Sequence, residues 1–159
     1  MVLDELDTNI VRLLQAENYC VPKVNLIARA LKVPTSTIFS RLKKLEKDGF
    51  LTGYSADVNS TKLGKELTVF ALVKLEYPKL PENIDIHEII AQKISNSSPK
   101  IQEVHALTGE WELLVKIKVN DHKDYYDTIK KYIIPAGPIV KVNALMALET
   151  FKETHFVYP

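Results

Sequence analysis

The residues with the clearest capacity for chemistry form a polar and basic run on one predicted helix. Ile38, Leu42 and Leu45 recur at helical spacing, which predicts an amphipathic helix with one buried face. Residues 29–47 hold six Lys or Arg side chains and one acid, Glu46, in a chain whose net charge is only +1. This local positive charge indicates a surface patch for a polyanionic partner.

The hydroxyl and basic side chains off the apolar stripe have the chemistry of a DNA-reading face. In a major-groove helix the N-terminal residues face base edges, while Arg and Lys reach phosphates or a guanine. A solvated helix face explains any single lysine equally well, but the whole group favours DNA contact. The candidate DNA-binding residues are Thr35, Ser36, Thr37, Ser40, Arg41, Lys43 and Lys44.

Three short helices are predicted to position this face. The first covers about residues 4–17 and the second about residues 23–31, which ends before Pro34. The third begins within residues 34–36, where proline suits a first turn and a hydroxyl can bond free amides. It ends at Gly49, which suits a left-handed position. Three helices with a tight second turn form a trihelical DNA-binding unit.

The rest of the chain predicts an α+β domain with the order strand, helix, strand, strand, helix, strand. This βαββαβ order gives a four-stranded antiparallel sheet with both helices on one face. Both faces of the last strand look apolar, so the open face is expected to pair with a second copy of the chain. The predicted strands are 68–77, 101–107, 111–119 and 139–151, and the predicted helices follow Asp85 and Asp121.

Three segments resemble one known family when they are taken in this order and spacing. They are LDELDTNIVRLLQAEN, VPTSTIFSRLKKLEKDGFLTGYSADVNSTKLG and TGEWELLVKIKV. The chain resembles the leucine-responsive regulatory protein and asparagine regulator family, written Lrp/AsnC, over nearly its whole length. The resemblance implies a sequence-specific transcription regulator with an N-terminal, winged-helix-like helix-turn-helix and a C-terminal ferredoxin-like domain.

The same resemblance implies a division into domains and a set of partners. We expect a DNA-binding domain at residues 1–52, a linker with a short strand at 53–66, and a dimerisation and effector-binding domain at 67–159. The expected partners are a pseudo-palindromic operator in double-stranded DNA, a second copy of the chain in a homodimer, tetramer or octamer, and a free amino acid as effector. No other cofactor is expected.

The start of the recognition helix departs from the family pattern. Pro34, Thr35 and Ser36 stand where Ser-Pro-Ser is common, and Phe39 and Ser40 stand where a serine and an arginine are common. One basic group is therefore missing, so we expect an altered operator preference. Phe39 either packs inward or touches a thymine methyl group, and burial is expected because large aromatic side chains are usually buried.

The resemblance also implies an effector site at the turn between the second and third strands of the sheet and at the start of the helix that follows. Backbone amides beside Gly109 can bind a carboxylate, and Asp121 can bind an ammonium group. A hairpin turn and a helix cap explain the same residues without a ligand, whereas Trp111 is expected to close the sheet core. The candidate effector-binding residues are Leu107, Thr108, Gly109, Glu110, Trp111, Asp121 and Tyr125.

Composition and motifs argue against other classes of function. The single cysteine, Cys20, excludes an internal disulfide, and the four histidines show no metal-ligand spacing. No phosphate-binding glycine loop or nucleophile elbow indicates an enzyme. No apolar run is long enough for a bilayer, so we expect a cytoplasmic protein. The alternative function is a small-molecule-sensing or assembly module without a DNA target of its own.

Overall fold

The structure, a computed structural model, describes residues 22–76 and 86–154. The chain divides into two compact units, Met1–Val58 and Asn59–Pro159, and the division falls inside the predicted linker at 53–66. The first predicted helix, at residues 4–17, and the predicted cap at Asp85 lie outside the described residues.

The first unit contains helix α1 (Val24–Leu31) and helix α2 (Thr35–Lys47) at the predicted places. Lys32 ends α1 in the left-handed conformation, with φ of 55°, and its amide donates to carbonyl oxygens of α1. The turn between the helices is therefore tight. Ala28 and Ile38 are the buried apolar residues of α1 and α2.

The ends of α2 match the prediction only in part. The predicted hydroxyl cap is wrong, because Pro34 is the N-cap and makes no side-chain capping bond. The Pro34 carbonyl instead accepts hydrogen bonds from the amides of Thr37 and Ile38, at 3.1 and 3.3 Å. The predicted left-handed end is confirmed, since Gly49 has φ of 76° and its amide donates to the Glu46 carbonyl.

The predicted short strand in the linker does not form. Residues 51–59 have no regular secondary structure, and Thr61–Leu63 form a single 3₁₀ turn. The Asn59 side chain accepts a hydrogen bond from the Lys62 amide at 3.0 Å, and Gly64 follows with φ of 75°. Side-chain acceptors and a left-handed glycine favour a turn over an extended strand.

The second unit has the predicted βαββαβ order and an α+β, ferredoxin-like architecture. All pairs in the sheet are antiparallel, and the strand order is β2-β3-β1-β4. The elements are β1 (Leu67–Leu75), α3 (Ile86–Ser95), β2 (Ile101–Ala106), β3 (Leu113–Val119), α4 (His122–Thr128) and β4 (Ile139–Met146).

All four strands are shorter than predicted, and β3 and β4 are shortened most. β3 begins at Leu113 and β4 ends at Met146. Beyond Met146 only the Ala147 amide still bonds β1, at the Thr68 carbonyl, because β1 itself begins at Leu67. Helix α4 passes into a wider π-helical turn over Ile129–Ile133 and then a 3₁₀ turn over Ile134–Ala136.

Helices α3 and α4 cover one face of the sheet and form the core with it. Alternate residues of β1 and β3 point into this face, and Ile90, Ile94 and Ile133 pack against them from the helices. All members of the core are at most 8% exposed. The alternation predicted for β3 is therefore confirmed from Leu113 to Val119.

The opposite, open face of the sheet is apolar only in part, whereas both faces of the last strand were expected to be apolar. Phe70, Leu72 and Leu114 lie on it partly buried, and Leu145 is 50% exposed. The remainder of the face is polar or charged, and it includes Thr68 and Asn143 as well as lysines. This difference follows from the period of two, which places every second residue of β3, including lysines, on the open face.

Those charges form one connected group around the nearly buried ammonium of Lys116. Its Nζ atom donates to Glu103 Oε1 at 2.7 Å and also to Glu153, which bonds Lys118 as well. Hydrogen bonds from Lys116 lower the pKa of both glutamates, and at Glu153 a further bond from Lys118 adds to the effect. The group therefore holds residue 153 over the open face.

Acid is expected to weaken the second unit through these two glutamates. Their folded-state pKa values lie below the ordinary 4.5, so the stabilisation is complete well above pH 4.5 and is lost as the pH falls through and below that value. Urea unfolding between pH 7 and pH 3 should show a smaller pH slope for the Glu103→Gln/Glu153→Gln variant. A Glu66→Gln/Glu149→Gln control at exposed positions should follow the wild type. Parallel curves for the test variant and wild type would contradict the assignment.

Gly137 is expected to tolerate no side chain. A Cβ atom there would lie 2.5 Å from Cδ1 and 2.7 Å from Cγ1 of Ile90, which is 1% exposed. Gly137→Ala should reduce the free energy of unfolding by about 1–3 kcal/mol. A second change, Ile90→Val, should recover part of that loss by removing Cδ1. At Gly64 a Cβ atom would meet open space, but φ is 75°, so Gly64→Ala should lower the free energy of unfolding by about 1 kcal/mol through backbone strain. Ile90→Val should not recover that loss.

Candidate nucleic-acid interface and effector site

Burial of Ile38 fixes the rotation of α2 about its axis. Ile38 is 7% exposed and points inward. At roughly 100° per residue, Ser36, Ser40, Lys43 and Lys47 lie within about 40° of the opposite direction. The helix therefore presents a continuous outer face of hydroxyl and ammonium groups. The predicted residues are all exposed, namely Thr35, Ser36, Thr37, Ser40, Arg41, Lys43 and Lys44.

The charge on α2 suits a polyanion along its whole length. Its first turn contains no acid, so the partial positive charge of the helix N-terminus is not neutralised by a local carboxylate. Lys44 and Lys47 lie in the last turn, where they complement the negative end of the dipole. Exposed lysines and a positive helix end are the groups that bind phosphate oxygens in DNA complexes.

Glu46, the one acidic residue of α2, forms a hydrogen bond with a residue outside the helix. Glu46 Oε1 accepts a hydrogen bond from the Tyr54 hydroxyl at 3.0 Å. Burial, and then this bond to the Glu46 carboxylate, raise the pKa of Tyr54 above its ordinary 10.

Ser40 Oγ donates to the Thr37 carbonyl at 2.9 Å, which leaves its oxygen lone pairs as acceptors.

Phe39 lies on the exposed side of α2, so the expectation that it packs inward is wrong. Its side chain is 55% exposed, and the ammonium of Lys43 lies 5.3 Å from the ring centroid. The inward position is already taken by Ile38, and the next residue of a helix points about 100° away. The spacing of Ile38, Leu42 and Leu45 contained this information, because Phe39 does not belong to that stripe.

The predicted effector residues occupy two separate places in the second unit. Residues 107–110 form an exposed turn that is closed by a hydrogen bond from the Leu107 amide to the Glu112 carbonyl at 2.8 Å. Gly109 has φ of 111°, which a residue with a side chain rarely adopts. Asp121 caps α4 by accepting the Asp124 amide at 2.8 Å, and the structural roles of the turn and the cap are thus observed.

The two places lie at opposite ends of β3. The turn precedes the strand and Asp121 follows it, and seven extended residues separate their ends by more than about 20 Å. Tyr125 lies beside Asp121, partly buried, and burial raises its pKa. One chain therefore does not bring all the predicted effector residues together.

Trp111 is not part of the buried core, so the expectation that it closes the core is wrong. It precedes β3, is partly exposed, and has the Lys141 ammonium 5.5 Å from its ring centroid. The neighbouring Glu112 is the buried residue, and its Oε2 atom accepts the Leu75 amide at 2.9 Å.

The sequence reasoning missed the residues that β1 and β4 bring to this turn. Lys74 of β1 bonds Glu112 Oε1 at 3.1 Å and the Glu110 carbonyl, and Lys141 comes from β4. Burial would raise the pKa of Glu112, but the bonds from Leu75 and Lys74 outweigh it and lower that pKa. Only the strand register identifies these neighbours, since they are distant in sequence from the turn.

The described parts of the chain contain neither a candidate metal site nor a helix that could span a membrane. Residues 22–76 and 86–154 contain no group of three or more His, Cys, Asp or Glu side chains arranged to hold a metal ion. Within the same ranges, no helix has the length and apolar character needed to cross a membrane.

Two family models account for nearly the whole chain. Residues 3–52 match a winged helix-turn-helix DNA-binding domain, and residues 68–156 match the Lrp/AsnC ligand-binding domain. The first match contains α1 and α2, and the second contains the ferredoxin-like sheet except for Leu67, the first residue of β1.

Individual proteins show the same similarity over their full length. An uncharacterized helix-turn-helix transcriptional regulator of Pyrococcus furiosus is 32% identical over 159 residues, with all of both chains covered. The DNA-binding transcriptional activator DecR of Escherichia coli K12 is 27% identical over 153 residues, 96% of each chain. A transcriptional regulator of Neisseria meningitidis, solved as a complex with L-methionine, shares the fold with a TM-score of 0.73 at 20% identity, over 99% of this chain and 97% of that one.

These matches agree with the exposed basic helix and the ferredoxin-like sheet described above. Both domain types belong to regulators of transcription and not to enzymes. The chain is a member of the Lrp/AsnC family of DNA-binding transcription regulators.

Proposed function

We propose that α2 is the recognition helix and that its outer face enters the major groove of duplex DNA. The observation that carries the proposal is the continuous exposed face opposite Ile38, with hydroxyl groups in its N-terminal half and lysines in its C-terminal half. In this arrangement Ser36, Ser40 and Thr37 face base edges or phosphates at the start of the helix. A cytoplasmic location follows from this function, since the regulator acts on chromosomal DNA.

Arg41 and Lys44 supply the second class of contact, to phosphate or to a guanine. Both are exposed and lie on the same side of α2, Lys44 about 60° and Arg41 about 120° from the centre of the outer face. Lys43 lies on the other flank beside Phe39. Phosphate contacts orient the helix without specifying sequence, so sequence preference depends on the N-terminal residues.

The protein acts as a homodimer through the open face of the sheet. Phe70, Leu72, Leu114 and Leu145 give this face an apolar part, and the paired charges around Lys116 border it. A two-fold axis makes such a face self-complementary, and it duplicates the recognition helix. Two helices then meet half-sites about one or more turns of DNA apart, which makes the operator pseudo-palindromic. A tetramer or an octamer would need a second, different interface between such dimers.

An amino acid modulates this regulator at a site shared between two chains. The exposed turn at residues 107–110 offers backbone amides to a carboxylate, with Lys74, Lys141 and Trp111 beside it. Asp121 and Tyr125 lie too far away to join it within one chain, so they act from a neighbouring subunit. The L-methionine complex of the N. meningitidis regulator supports an amino acid as the ligand class.

Loss of Arg41 and Lys44 is expected to weaken DNA binding and its dependence on salt. For Arg41→Ala/Lys44→Ala, the slope of log affinity against log salt concentration should fall by about 3.6, because a dimer loses two phosphate contacts on each helix and about 0.9 counterions are released for each contact. A control, Lys62→Ala/Lys93→Ala, removes two exposed lysines from the second unit and should retain the wild-type slope. Fluorescence anisotropy with a labelled duplex at several salt concentrations measures both.

The molecular mass of the same variant distinguishes a loss of DNA docking from a loss of oligomer assembly. Light scattering should give the same mass for the variant and the wild type, since neither residue lies in the second unit. Normal affinity and slope in the variant would show that this flank of α2 does not dock on DNA. Absence of wild-type binding to any duplex at low salt would contradict the recognition-helix proposal altogether.

A shared effector site is expected to show complementation between two inactive variants. Trp111→Ala removes the aromatic group beside the turn, and Asp121→Ser removes the carboxylate while keeping a side chain that caps α4. Each variant alone should lose binding of L-methionine, or of another amino acid that the wild type binds, in isothermal titration calorimetry. A refolded equal mixture should regain about one quarter of the sites, the fraction expected for random pairing of subunits.

The mixture distinguishes a shared site from a site within one chain. No recovery in a mixture that has exchanged subunits would place the site within one chain. If the wild type bound none of the twenty amino acids, the effector proposal would be wrong while the DNA proposal would stand.

A further inference from the structure

Phe39 is an exposed apolar side chain at the border of the polar and basic outer face of α2. It is 55% exposed in the N-terminal half of α2, where Ile38 already fills the inward position. The local packing of α2 therefore does not require an aromatic residue there. A solvent-exposed ring on a helix that docks on DNA has apolar surface to bury against the duplex.

The major groove offers one apolar group at base edges, the C5 methyl of thymine. The side chain at position 39 lies between the inward direction and the outer face that contains Ser36 and Ser40, so it borders the predicted base-reading residues. A ring at this border lies beside a base pair when the helix docks by its outer face.

The contact with Lys43 restricts the ring and places charge beside it. The Lys43 ammonium lies 5.3 Å from the ring centroid, one helical turn after Phe39. An i, i+4 pair of this kind stabilises one arrangement of both side chains. The ammonium therefore lies next to the ring. If the ring lay against a base, this ammonium would be close to a phosphate that flanks that base.

We propose that Phe39 reads thymine in each operator half-site through van der Waals contact of its ring with the C5 methyl, with Lys43 binding the adjacent phosphate. This inference rests on the proposed docking of α2. It assigns part of the sequence preference to an apolar contact at a position with no hydrogen-bonding group.

Replacement of thymine by deoxyuridine tests the contact directly, because it removes only the methyl group. A bound operator is first selected from random duplexes, and each thymine is then replaced in turn. At one position in each half-site, wild-type affinity should fall about fourfold, the value for burying one methyl-sized group, and about fifteenfold when both half-sites are changed. Uniform affinity at every position would overturn the inference without any mutant.

The variant Phe39→Ala completes the test as a double-mutant cycle. It should bind the thymine and deoxyuridine operators equally at that position, whereas wild type distinguishes them. Phe50→Ala is the matched control, because Phe50 is 77% exposed in the same unit and lies outside α2. The control should keep the wild-type discrimination.

The outcomes distinguish this inference from the docking proposal that it depends on. If Phe39→Ala binds and still distinguishes the two operators, another residue reads the methyl and the inference is wrong. If wild type binds DNA but ignores every methyl group, docking stands and the role of Phe39 fails. If wild type binds no duplex at low salt, both fail together.

Discussion

One-sided burial is the constraint on which the rest of the structure depends. In the second unit, alternate residues of β1 and β3 are buried beneath α3 and α4. In the first unit, Ile38 is the buried residue of α2. Once the inward side is fixed, the helical and strand periods decide which residues face outward. The polar face of α2 and the charged open face of the sheet are both consequences of where the apolar residues lie.

This constraint explains how much of the fold the sequence predicted. The periodic segments gave the two helices of the first unit and the βαββαβ order of the second, since long apolar patterns admit few arrangements. They did not give the end of β4, which depends on where its partner β1 begins. They also did not give the linker turn, where the Asn59 side chain bonds the Lys62 amide. Both outcomes depend on individual hydrogen bonds and not on periodicity.

The candidate sites show the same division between local and distant information. The apolar stripe of Ile38, Leu42 and Leu45 was enough to predict which residues of α2 are exposed. The prediction for Phe39 was wrong because it relied on the general tendency of aromatic side chains to be buried and not on the position of Phe39 outside that stripe. At the turn before β3, by contrast, Lys74 and Lys141 arrive from strands far away in sequence. Sheet register brings these residues to Trp111, and no pattern local to the turn contains that register.

The proposed thymine contact of Phe39 would change the balance between affinity and specificity. Basic groups bind every duplex and lose that affinity as salt rises, because the gain comes from counterion release. A ring against a thymine methyl gains nothing from phosphate and depends weakly on salt, but it is lost at any other base pair. On this proposal, Phe39 and Ser40 in place of a further basic group would reduce non-specific binding more than specific binding. In a dimer the base-dependent part counts twice, once for each half-site, so the ratio of specific to non-specific affinity rises with the square of the contribution from one helix.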